Sequence, residues 1–342
     1  MDELEQLPLP LLFWFRENAR TLPWRSDPTP YHVWVSEIML QQTRVAAVLG
    51  YYERFLEVLP TVADLACCPE DRLMKLWQGL GYYSRARNLQ KAARQVMEKF
   101  GGEIPSSYGE IRSLAGIGDY TAGAICSIAF GQPVSAVDGN VLRVVSRLTD
   151  DHRDVTQARV KEDIRQRLEQ VIPRDMPGTF NQAVMDLGAM VCLPNGVPLC
   201  GKCPAAEFCA GCRTGTACDL PVKAPKKARR VEERTVYLIF HGGRAALRRR
   251  ADRGLLAGLW EYPNEPSPWA CPVPGEAVFA AEAKHIFTHI EWHMNAYTVM
   301  AETDALPAGW VWADRGELDG VYAVPGAFSP FAHLVEKALT RE

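Results

Sequence analysis

No stretch of this chain approaches the roughly 18 consecutive apolar residues of a membrane-spanning helix. The longest apolar runs, such as TAGAICSIAFG at 121–131, stop well short, which argues against a helical membrane protein. An excess of positive charge is missing too. Lys and Arg number 38 against 41 Asp and Glu, a formal net charge of −3, so affinity for nucleic acid would have to come from local patches. The acidic opening MDELEQ lacks the pattern of a secretory signal, and no fixed-period repeat or low-complexity tract is present. Cysteine is not scarce. Ten are present, and without a secretory signal they are expected in a reducing compartment, where clustered thiols bind metal more readily than they pair. A cytoplasmic protein is expected. At 342 residues, 47% hydrophobic and 23% charged, the chain has the composition of an ordinary globular protein and room for two domains.

The texture changes once along the chain. Residues 1–220 read as helix after helix with breaks at Pro and Gly, for example PYHVWVSEIMLQQTRVAAVLGYYERFLEVL and SRARNLQKAARQVMEKFGG, predicting an all-α domain. Residues 221–234, PVKAPKKARRVEER, carry six basic side chains and almost no apolar periodicity, which predicts a basic linker. It fits a solvated tether as well as a contact to DNA phosphates. From 235 to 342 the pattern is α+β: TVYLIFHGGRAALRRR predicts two strands around a Gly-Gly turn, HIFTHIEWHMNAYTVMA another strand pair, and AFSPFAHLVEKALTRE a closing helix.

The stretch LAGIGDYTAGAICSIAFGQPVSAVDGNVL at 114–142 carries the chemistry. Gly116 and Gly118 fit a tight turn whose bare backbone N–H groups face an outside anion such as a phosphate. Asp138 stands just ahead of the apolar-periodic run VLRVVSRL, where a carboxylate meets a helix N-terminus. Each feature alone also fits an ordinary turn or an ordinary N-cap. Together they resemble the helix-hairpin-helix DNA glycosylases, whose hairpin grips DNA backbone and whose following Asp works at the sugar C1′. Five further stretches narrow the resemblance to the adenine-specific MutY family: LPWR at 22–25, SEIMLQQT at 36–43, GLGYYSRARNL at 79–89, FNQAVMDLGAMVC at 180–192, and the cysteines after it. The second domain, with its opening hairpin and RGLLAGLWEYP, resembles the Nudix fold. Nudix catalysis needs a glutamate-rich helix, and PSPWACPVPGEAVFAAEA has glutamates only at 276 and 282, so a lesion-reading module is expected there.

Glu37 lies in a predicted helix with Val33, Trp34, Leu40 and Gln41 three and four positions away, which predicts a carboxyl half out of water and a raised pKa. The resemblance implies that Glu37 protonates adenine N7 to make a leaving group, with Asp138 stabilising the sugar cation and Tyr120 and Asn140 holding the pair. Endonuclease III-like relatives carry a Lys at position 120 for a Schiff base. Tyr120 cannot form one, so a monofunctional enzyme that leaves an abasic site is expected. The resemblance also assigns Arg20, Trp24, Arg25 and Gln182 to the adenine pocket, and Gln42 and Tyr82 to insertion into the DNA stack, with Thr43 and Leu80 beside them in reading the DNA. Phe287, Thr288 and His289 match the family's Phe-Ser-His loop that reads 8-oxoguanine. The implied partner is double-stranded DNA holding A opposite 8-oxoguanine, bound by a monomer at the bacterial nucleoid.

Cys192, Cys200, Cys203 and Cys209 give C-x7-C-x2-C-x5-C, four thiols within eighteen residues. The family commonly carries a 4Fe-4S cluster at C-x6-C-x2-C-x5-C, so 192–209 is expected to be the cluster loop with one inserted residue. Zinc held by Cys200, Cys203, Cys209 and Cys212 is the alternative, though only five residues separate the two CxxC pairs. Cys212 and Cys218 have no assigned part. Other activities to weigh are a thymine glycosylase for G–T mismatches, a lesion binder without catalysis, and a Nudix hydrolase.

Overall fold

The computed structural model describes residues 2–225 and 228–340. The chain divides into two compact units: Met1–Cys67 with Asn88–Pro225, and Cys68–Arg87 with Lys226–Glu342.

The first unit is helical. In chain order the helices are α1 (Glu3–Gln6), α2 (Pro8–Asn18), α3 (Pro23–Ser26), α4 (Pro30–Leu40), α5 (Val45–Val58) and α6 (Val62–Cys67). Then come α7 (Glu70–Trp77), which belongs to the second unit, and α8 (Ser84–Phe100). They are followed by α9 (Tyr108–Ser113), α10 (Asp119–Phe130), α11 (Gly139–Leu148), α12 (Ala158–Val171), α13 (Pro177–Met190) and α14 (Ala210–Thr214). Thr29 caps α4 by accepting from the His32 N–H, and Pro30 opens it where a missing N–H costs nothing. Helix α4 is buried along most of its length, as is α10, which packs on α4 and α13. Val141, Val145, Leu148, Phe180 and Leu187 join α11 and α13 in one core with Leu4, Leu7 and Leu11.

Helices α9 and α10 with the turn between them form the hairpin. Gly116 takes φ +75°, and a Cβ there would meet the Asn88 Cβ at 2.6 Å. Gly118 is the extended N-cap of α10, at φ −95°, with open space where a Cβ would sit. Nothing inside the unit requires glycine at 118, whereas close approach of an outside backbone would.

Among the described residues the second unit is a seven-stranded sheet with α7 and two further helices. Its elements are β1 (Arg230–His241), β2 (Arg244–Arg249), β3 (Trp260–Glu261), β4 (Asn264–Pro266), β5 (Ala277–Ile286), β6 (Ile290–Met300), β7 (Trp310–Ala313), α15 (Arg315–Gly320) and α16 (Ala332–Leu339). The strand order is β3-β2-β1-β6-β5, with β4 added to β1 and β7 to β2. Parallel β1 and β6 make the centre, with Val236, Leu238, Phe240, Trp292 and Met294 packed on Phe328 and Phe331.

Three expectations change. The stretch 285–301 is not itself a strand pair: β6 fills most of it, and the partner is β5, which lies upstream in the segment that a Nudix helix would have occupied. Alanine-rich AVFAAEAKHI hides its strand character, because Ala is depleted in strands. The linker is shorter than 221–234, since Arg230 to Arg234 already pair with β6 and Arg234 is buried over the Trp292 ring. Lys226 and Lys227 of that segment lie outside the described residues. Finally, residues 68–87 join the second unit, not the helical one. The Lys75 ammonium donates to the Leu318 and Tyr322 carbonyls at 2.7 and 3.2 Å, at the end of α15, where such carbonyls lack helical partners.

Candidate active site

Glu37, Tyr120 and Asp138 come from α4, α10 and the cap of α11 and line one cavity of about 1040 Å³. Glu37 is 6% exposed, and the Tyr120 hydroxyl donates to its Oε2 at 2.5 Å. Burial pushes the Glu37 carboxyl up to about 7; the negative Asp138 adds to the rise, while Tyr120 and Arg25 oppose it. Burial and the two neighbouring carboxylates hold the Tyr120 phenol well above its ordinary range, so it remains a donor.

Asp138 is half-buried and tightly bonded. Its Oδ1 accepts from the Asn140 and Val141 N–H groups, both at 2.8 Å, and its Oδ2 accepts from the Asn140 amide at 2.8 Å. Burial still leaves its carboxyl above the usual aspartate value, against the pull of those donors. Asn140 is fixed in turn by Arg143, which donates to Asn140 Oδ1 at 3.0 Å, to the Gly188 carbonyl at 2.8 Å and to the Cys192 carbonyl at 2.8 Å. Helix α13 approaches closely here: a Cβ on Gly188 would meet Asn140 Cβ at 2.7 Å. Buried Asn181 supports the loop leading to Asp138, accepting from the Ala136 N–H and donating to the Val134 carbonyl and Ser127.

The expected pocket residues Arg20, Trp24, Arg25 and Gln182 all line the same cavity, as do Gln42, Thr43, Gly116, Gly118 and Asn140. Trp24 is buried, edge-on to Tyr52 at 5.3 Å, and gives the cavity an aromatic wall. Both arginines turn out to be engaged by a residue that sequence reasoning missed. Fully buried Asp186 accepts from Arg25 at 2.7 and 3.0 Å and from Arg20 Nε at 2.9 Å, with a further ion pair to the Arg20 terminal nitrogen. Its signal was its place on α13 one turn beyond Gln182, on the face that meets the pocket.

Gln42 and Tyr82 share an unusual backbone. Both are exposed, at φ +57° and +47°, a region that non-glycine residues seldom occupy and that clusters at functional sites. Leu80 is 5% exposed and packs in the core of the turn. Leu80, Tyr82, Phe287, Thr288 and His289 all belong to the second unit. Within it Tyr82 and Thr288 share a hydrogen bond of 3.2 Å between hydroxyls. Phe287 packs on Trp292 with ring centroids 4.9 Å apart, leaving Thr288 and His289 exposed at the tip of the β5–β6 hairpin.

Cys192, Cys203 and Cys209 lie against the core of the helical unit. Burial, and then the charge of neighbouring cysteines, pushes the Cys200, Cys203 and Cys209 thiols up. Among the described residues no three of His, Cys, Asp or Glu are grouped tightly enough for a single metal ion. Sulphurs bound to four different irons need not converge in that way. The surroundings suit an anionic cluster. Arg147 is 2% exposed and donates to Cys192 Sγ at 3.4 Å and to the Leu193 and Leu220 carbonyls, and neither it nor buried Arg143 has a carboxylate ion pair among the described residues.

The helical fold is shared with known repair enzymes. Residues 35–172 match the model of the HhH-GPD superfamily base excision DNA repair protein, and 235–334 match a NUDIX domain. A thermostable thymine-DNA glycosylase superposes with a TM-score of 0.57 at 26% identity, covering 62% of this chain and 97% of that one. An endonuclease III trapped as a covalent DNA intermediate gives 0.53 at 26% identity, covering 63% and 99%. Fold and site thus define a DNA N-glycosylase of base excision repair. Mouse adenine DNA glycosylase is 36% identical over 374 residues, spanning 88% of this chain and 72% of that protein. The chain belongs to the adenine DNA glycosylase family. Among the described residues no helix is long and apolar enough to cross a membrane.

Proposed function

We propose that this glycosylase acts on double-stranded DNA as a monomer, excises adenine standing opposite 8-oxoguanine or guanine, and leaves the strand intact at an abasic site. The observation that carries the reading is Glu37: a buried carboxyl that keeps its proton to about pH 7, held by Tyr120 in a cavity it shares with Asp138. A general acid works best with a pKa near the working pH. The target base leaves the stack for the cavity, because its atoms are out of reach in a duplex. Glu37 gives its proton to adenine N7, the C1′–N9 bond breaks with its electrons going to the base, and Asp138 faces the positive charge left on the sugar. Deprotonated Glu37 then takes a proton from the water that attacks C1′. A pyrimidine has no N7, which favours adenine over thymine.

Gln42 and Tyr82 suit the space left in the stack, their backbones held in a conformation that projects them from turns. Phe287 anchors a hairpin tip whose exposed Thr288 would read the orphaned partner base through its hydroxyl. Cys192, Cys200, Cys203 and Cys209 would hold a 4Fe-4S cluster, which would pin the 192–209 loop and supply the negative charge that Arg147 lacks. The test is single-turnover excision from duplexes with A opposite 8-oxoguanine, A opposite G, and T opposite G. The expected order is A:8-oxoguanine, then A:G, with no thymine release, and with Glu37→Gln and Asp138→Asn each slower by about a hundredfold or more. Near-normal excision by either variant, or thymine release, overturns the assignment.

A further inference from the structure

Asp186 does more than neutralise two surface cations. Its side chain is 0% exposed, whereas Arg20 and Arg25 keep 29% and 16% of theirs exposed on the cavity wall. Two guanidiniums on one carboxylate leave a surplus of one positive charge. That surplus faces the space where a base would receive the Glu37 proton. Arg25 is also fixed from two other directions, donating to the Arg20 carbonyl at 3.2 Å and lying over the Phe15 ring at 5.4 Å. The carboxylate of Asp186 is thus one of three holds on Arg25, and the only one of the three that carries a charge opposite to it.

We propose that Asp186 is a positioning residue for excision: by holding Arg25 on the cavity wall and offsetting its charge, it sets how readily Glu37 holds its proton. The inference rests on the reading of Glu37 as the general acid. Other groups face Glu37 from the elements around it: Tyr120 on α10, Asp138 at the cap of α11 and Arg25 on α3. Arg44, Asp119, Lys161, Glu162 and Arg165 stand further along the wall. Arg112 pairs with Asp119, and Glu162 pairs with Arg165, so those carboxylates are already balanced.

The sign follows from the charge count. Asp186→Asn raises the local surplus from one positive charge to two, favours the Glu37 carboxylate and moves the alkaline limb of the rate profile to lower pH. Arg25→Gln removes the surplus and moves the limb to higher pH. The double variant has the surplus of the parent, and its limb returns. Each single shift should be about one pH unit, the usual effect of a nearby charge. The measurement is single-turnover adenine excision from pH 5 to 9 for the parent, both single variants, the double variant and Asp186→Glu, which should restore the parent limb. A purely structural Asp186 would lower the rate at every pH and leave the limb where it was, which overturns the inference. If Asp186→Asn does not fold, an unmoved limb in Arg25→Gln overturns it equally. Glu37→Gln separates the two readings. Should it retain rate and limb, the acid assignment fails and takes this inference with it; should it lose the rate while the other variants leave the limb fixed, only the inference fails.

Discussion

A carboxyl that holds its proton to about pH 7 inside the protein would lose it near 4.5 in an unfolded chain. Because folding raises this pKa, the Glu37 contribution to stability is complete below about 4.5 and is lost as pH rises through about 7. The difference corresponds to about 3 kcal/mol as an order of magnitude. Glu37→Gln removes the charge and keeps the shape. It should therefore unfold at a higher temperature than the parent at pH 8, with a smaller gain or none at pH 5, while excision is lost. Thermal unfolding at the two pH values checks this, and a gain independent of pH would contradict the burial of a charge. The burial of Glu37 was legible from apolar neighbours at helical spacing, whereas its part as the acid was implied only by the resemblance that SEIMLQQT carries. Asp186 was not legible, because a buried acid looks the same in sequence as an exposed one until its partners, some 160 positions away, are brought beside it.

At the scale of elements, helices with caps and strict periodicity were readable, including α4, α8 and the hairpin. Strand β5 was not, since its alanines carry no β signal and its partner strand follows a turn that the sequence pattern swallowed. The cysteine loop lies between these cases: its spacing is plain, but the insertion between Cys192 and Cys200 leaves its ligand set to be tested. Purified protein should be yellow-brown with about four irons per chain. Cys203→Ser should bleach the colour and Cys212→Ser should leave it. Stoichiometric zinc with no visible absorption would refute the iron-sulfur reading. Arg147, buried beside Cys192, sets a positive charge against a sulphur that belongs to the iron-sulfur set and not to the zinc set.

For the molecule as a whole, two textures and one basic junction were visible in the sequence, and the true division was not. Residues 68–87 read as more helix, and only the reach of Lys75 to the end of α15 and of Tyr82 to Thr288 shows which unit they serve. Deleting everything after about residue 225 would thus remove more than the sheet and its helices. It would strip α7 and the Gly79–Tyr83 turn of their packing partners, so loss of partner-base preference in such a truncation should come with altered behaviour of Tyr82.

The polypeptide passes from one unit to the other three times, at 67–68, 87–88 and 225–226. A chain that crosses once can be unfastened by one cut, and a chain laced three times cannot. Limited proteolysis inside the basic junction should yield two fragments that elute together in native buffer and part only in denaturant. Separate elution would show the lacing to be loose. Co-elution would mean that covalent continuity at the junction is dispensable for keeping Tyr82 beside Thr288, and that a nicked molecule is still, mechanically, one enzyme.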